Sequence, residues 1–99
     1  MNIEILIRKW AHDRNLIKGT TPLHQCCKLQ EEVGELARAI LHKDKPMAAD
    51  AIGDCYVVLC NLAANLGFSL DGCARLAYDE IKDRKGKMVD GTFIKDGDL

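Results

Sequence analysis

Apolar residues recur at helical intervals along most of this chain. Ile3, Leu6, Ile7, Trp10 and Ala11 share one face, which predicts a first helix over about 3–17, capped by Asn2 and ended by Gly19. Thr21-Pro22 then restarts the chain, a Thr cap with Pro at the first helical position. The second helix is predicted over 22–42. At about 100° per residue its Leu29, Val33, Leu36 and Ile40 form one stripe, the spacing of a core-facing helix. Lys43-Asp44-Lys45 is a polar turn, Pro46 opens a third helix over 46–66, and Gly67 stops it. Ser69 caps a fourth helix over 70–84, stopped by Gly86. In the remaining tail, 87–99, Asp90-Gly91 between Met88-Val89 and Thr92-Phe93 is a hairpin signal. A ribbon of that size is marginal alone, so the tail is expected to be irregular or weakly β. Four helices with short connections imply an all-α, antiparallel four-helix bundle in one domain over 1–99.

Polar residues that break the pattern carry the chemistry. Glu32 and Glu35 lie together on the flank of the second helix's apolar stripe, roughly 70–130° from its centre, while Glu31 points away and can be solvated. Two carboxylates one turn apart beside a core repel each other unless a cation sits between them. The third helix is apolar over much of its circumference, with Ala51, Ile52, Cys55, Val58, Leu59, Leu62, Ala63 and Leu66, as expected of a helix buried against several neighbours. Asp54 nevertheless sits in its middle, and Asp50 and Asn61 lie within about 40° of it. Asp50 is also explained by a favourable first-turn position. Asp54 is too far inside the helix for that, and unpaired burial would cost several kcal/mol. Facing Glu32 and Glu35 across an antiparallel pair, it would complete a hard-oxygen site for Mg²⁺ or Mn²⁺. A di-iron bundle would need Glu-x-x-His pairs, and His12, His24 and His42 do not follow any Glu at that spacing.

Composition narrows the classes of function. The chain is 47% hydrophobic and 29% charged with a net charge of −1, which argues against a nucleic-acid polymer or an anionic membrane as partner. No apolar run approaches the roughly 18–20 residues of a membrane span, and MNIEILIRKW lacks the pattern of a signal peptide. The five cysteines form no CxxC pair. They are expected as small buried hydrophobes in a reducing cytoplasm.

Together these residues resemble the MazG-like, all-α nucleoside triphosphate pyrophosphohydrolase superfamily, whose motif is Glu-Glu-x-x-Glu followed one helix later by Glu-x-x-Asp. Glu31-Glu32-x-x-Glu35 matches the first half, and Asp54 matches the final Asp. The acid three before it is replaced by Ala51, with Asp50 one position further back. The resemblance runs from Trp10 to about Phe93. It implies hydrolysis of a nucleoside triphosphate to the monophosphate and pyrophosphate, with dNTPs or altered nucleotides as the expected substrates. It further implies Mg²⁺ held by Glu32, Glu35 and Asp54, with Asp50 as a substitute ligand, and Glu31 or Glu35 as proton acceptor. Lys28, Lys82, Arg84 and Lys85 would hold the triphosphate. A solvated helix C-terminus explains the last three equally well. Trp10 would stack on a base unless it is a core residue, and His24 and Gln25 would meet a base edge. Asn61 is the remaining candidate for substrate contact.

Helix three is apolar over too wide an arc for one 99-residue bundle to bury, so a homodimer or dimer of dimers is expected, with the site near a subunit interface. The competing expectation is a non-catalytic helical assembly module, in which Glu32 and Glu35 pair with Lys28, Arg38 or a partner's basic residues. Ala51 is its best support.

Overall fold

The computed structural model describes residues 2–99. Four helices, α1 (Ile3–Asp13), α2 (Pro22–Leu41), α3 (Lys45–Asn65) and α4 (Leu70–Ile81), are followed by strands β1 (Gly86–Val89) and β2 (Thr92–Lys95). α3 is the central element: α2 packs along it most extensively, then α1, then α4. The short connection from His42 to Asp44 folds α2 and α3 back on each other as an antiparallel pair.

Each helix starts on a side-chain cap. Asn2 accepts from the Glu4 N–H, Thr21 from His24, Asp44 from Met47 and Ser69 from Gly72, satisfying donors that the first turn leaves free. Three helices end alike. The Leu16, Asp44 and Phe68 N–H groups donate back to the carbonyls of Ala11, Ala39 and Ala63. Asn15, Lys43 and Gly67 stand in the left-handed region at the turn, a Schellman ending.

α1 therefore stops at Asp13, before the predicted boundary, because Asn15 tolerates the left-handed backbone. Gly19, expected as the stop, instead closes the loop that follows. Its N–H donates to the Asn15 carbonyl at 3.2 Å, and a Cβ there would lie 2.5 Å from that oxygen. α4 ends at Ile81 because the chain turns at Lys82–Asp83 to enter the hairpin. The tail is a regular antiparallel hairpin, with Val89 opposite Thr92 and Gly86 opposite Lys95. Asp90 and Gly91 both have positive φ, the type I′ geometry that matches strand twist.

The core is small. Among hydrophobic residues, only Ala11, Ala39, Ala51, Val58, Cys60 and Ala63 are buried among the described residues. The stripe expected to face the core from α2 does so only in part: Val33 is 47% and Ile40 63% exposed. Cys60 is buried as expected, but Cys26 and Cys27 are exposed. The chain exposes 7599 Å², against about 5600 Å² for a compact monomer of its mass. Its radius of gyration is 16.2 Å, against about 13 Å. By length and mean hydropathy α3 also meets the measure of a membrane-crossing helix, although Asp50, Asp54 and Asn61 interrupt it and three helices pack on it.

Candidate metal and nucleotide site

Glu32 and Glu35 come from the middle of α2, Asp54 from the facing turn of α3. The antiparallel pairing brings one carboxylate oxygen of each to within 4.8 Å of the others. Glu32 is buried and Asp54 half-buried, and Glu35 is exposed. One Glu32 oxygen lies 3.5 Å from the Lys28 ammonium. The other, Oε2, is buried without a hydrogen-bond partner. A buried carboxylate oxygen left unmatched is costly, and a hard cation bound by this trio would satisfy it. Burial first, then the charges of Asp50 and Glu32, push the Asp54 carboxyl above its ordinary range, against the pull of Lys28. Hydrogen bonding and charge from Glu31, then from Glu32, push the Lys28 ammonium up.

Asp50 and Glu31 stand outside the trio. Asp50 is one turn before Asp54, a rise of about 6 Å, and reaches Asp54 through its field instead. Glu31 is exposed and pairs with Lys28 at 3.4 Å. Ala51, at the position of the missing acid, is buried.

A cleft of about 450 Å³ opens beside the trio. Its wall gathers Trp10, His24, Gln25, Lys28 and Asn61 with Glu32 and Asp54, so five sequence-derived substrate candidates meet in one place. Trp10 is no core residue. It is 45% exposed, with the Arg14 guanidinium 4.6 Å from its ring centroid and donating to its carbonyl. His24 Nδ1 lies 2.7 Å from the Thr21 hydroxyl, and Gln25 donates to Thr20 at 3.1 Å. Asn61 is only 5% exposed, and its Oδ1 has no partner. Lys82, Arg84 and Lys85 line no part of this cleft. They follow α4, where Lys82 pairs with Asp79.

Leu16, Thr20, Val57 and Val58 complete the wall and were not anticipated. Leu16 and Thr20 belong to the 14–20 loop, which Asn65 of α3 holds by donating to the carbonyls of Ile17 (2.8 Å) and Thr20 (3.2 Å). The one available signal was Asn15, a residue type that tolerates the left-handed turn. A second cleft, of about 330 Å³, shares Asp54 with the first and is lined also by Glu35, Arg38, Met47, Asp50 and Ala51.

The MazG nucleotide pyrophosphohydrolase domain matches residues 21–89, and the chain belongs to that family. It is also 46% identical over 57 residues to an uncharacterized 18.2 kDa protein from the rep-hol intergenic region of Haemophilus phage HP1 (strain HP1c1). That match covers 58% of this chain and 35% of the phage protein, so the chain spans about a third of that relative. No solved structure matches.

Proposed function

We propose that this chain hydrolyses nucleoside triphosphates, with dNTPs or altered nucleotides as the favoured class, to the monophosphate and pyrophosphate in a Mg²⁺-dependent reaction. Mn²⁺ serves as an alternative ion. The observation that carries this reading is the convergence of Glu32, Glu35 and Asp54 at the edge of a cleft whose most buried polar residue, Asn61, has an Oδ1 without a partner.

Glu32, Glu35 and Asp54 would hold the ion. When bound, it neutralises the carboxylates and draws charge from the phosphate oxygens. The residues of the chain do the rest. Trp10, Leu16, Val57 and Val58 enclose the base, and His24, Gln25 and Asn61 meet its polar edge. Lys28 faces the phosphates from one turn before Glu32. The water oxygen bonds to the α-phosphorus as the bridging bond to the β-phosphate breaks. Glu35 accepts the water's proton, since it is the exposed member of the trio. Glu31 acts indirectly, by holding Lys28.

The site serves an oligomer of this chain, a homodimer or dimer of dimers, acting on free nucleotides rather than on nucleic acid or a membrane. The roughly 2000 Å² exposed beyond a compact monomer is of the size that obligate interfaces bury. The exposed part of the α2 stripe supplies apolar surface for it.

Pyrophosphate release from a dNTP panel with and without Mg²⁺ is the test. Wild type is expected to be active on at least one nucleotide, Glu35→Gln and Asp54→Asn to lose at least 100-fold on the scale of a catalytic carboxylate, and Glu31→Gln to keep most activity. The buried Ala51 favours one other reading, a non-catalytic assembly module. Inactivity of wild type on every nucleotide would select it.

A further inference from the structure

We propose that the second cleft receives the leaving pyrophosphate and that Arg38 is its ligand, which fixes the direction in which the triphosphate lies across α2. The inference rests on the pyrophosphohydrolase reading above.

Two clefts meet at Asp54, and their linings differ in kind. The first holds apolar walls, Trp10 and the buried, unpartnered Asn61 Oδ1, features that suit a base, with Lys28 beside Glu32. The second has a single cation, Arg38, among Glu35, Met47, Asp50, Ala51 and Asp54. No carboxylate among the described residues lies within ion-pair distance of the Arg38 guanidinium, although Glu35 precedes it by one turn. Its planar fork is therefore free to grip a phosphate in two-point fashion.

Lys28, Glu32, Glu35 and Arg38 follow one another at steps of four, three and three along α2. They share a face, with a cation at each end and the acids between. A triphosphate whose α-phosphate sits at the acids meets Lys28 towards the nucleoside cleft and Arg38 towards the second. As the α–β bridging bond breaks, its electron pair departs with the pyrophosphate, and Arg38 offsets that charge. The water oxygen bonds to phosphorus opposite the leaving oxygen, one of its protons going to Glu35 and the other staying on the monophosphate.

Calorimetry of inorganic pyrophosphate in excess Mg²⁺ tests this, beside titration with deoxynucleoside monophosphates and product inhibition of the chain. Arg38→Ala is expected to weaken pyrophosphate binding and inhibition at least tenfold and to raise KM, leaving monophosphate affinity within twofold. Arg38→Lys falls between, and Asn61→Leu shows the converse pattern. Circular dichroism of the Arg38 variants, altered at an exposed position, checks the fold. Unchanged pyrophosphate affinity in Arg38→Ala, or equal loss of both ligands, overturns the proposal while leaving the parent reading intact. Wild type that releases no pyrophosphate from any triphosphate overturns both, and shows it before any variant is made.

Discussion

Asp54 carries opposing demands. Its carboxyl is pushed up by burial and by neighbouring acids, so the folded chain holds that proton at pH values where the unfolded chain has released it. Stability without metal therefore falls as pH rises from the ordinary carboxylate range through the raised one. The whole penalty is present once pH lies above that raised range. Asp54→Asn is expected to melt a few degrees above wild type at pH 7 without metal, with the difference closing as pH drops below about 4. The same variant loses Mg²⁺ binding. Thermal melts in chelator across pH check the first outcome, and Mg²⁺ titration the second. Asn61 has a simpler balance: Asn61→Leu removes an unmatched buried oxygen, so the metal-free melting temperature holds or rises. Nucleotide affinity drops about tenfold, the worth of one buried hydrogen bond.

At the scale of elements, α3 and the 14–20 loop act together. The loop supplies Leu16 and Thr20 to the cleft, while Asn65 fixes it through two carbonyls and Gly19 lets it close on Asn15. Gly19→Ala forces a Cβ against a backbone oxygen and is expected to destabilise by about 1–3 kcal/mol. Asn65→Ala leaves two carbonyls without donors, at a similar cost of about 1–3 kcal/mol. Both variants are expected to raise KM more than they lower kcat, which denaturant melts and steady-state kinetics separate. Helix starts were legible because Asn2, Thr21 and Ser69 are residues with a capping oxygen. The trio was legible because angular position on α2 and α3 follows from residue spacing alone. The ends of α1 at Asp13 and α4 at Ile81 were not, since nothing local distinguishes the left-handed Asn15 from a helical one or marks the turn at Lys82–Asp83. The cleft wall made by Leu16 and Thr20 escaped for the same reason.

For the whole molecule, periodicity separates apolar from polar faces but does not say what covers the apolar one. Val33 and Ile40 keep the spacing of core residues yet remain open in the single chain, because α1 and α4 pack on α3 instead. In the proposed oligomer these positions meet a second copy. Wild type is expected to sediment at a multiple of 11.0 kDa and to melt at a temperature that climbs with protein concentration. Ile40→Lys is expected to shift it to monomer and lower the melting temperature, read by the same two measurements.

The Glu4 carboxylate, buried on α1, accepts the Asp71 N–H at the start of α4, 67 residues away, at 2.8 Å. During synthesis, the first turn of α1 must wait for α4 to emerge before its acid finds that donor. A ribosome-held fragment ending before Asp71 carries an unanswered charge at the start of α1. The start of α1 and the start of α4 therefore reach their native arrangement together, once α4 is available to pack.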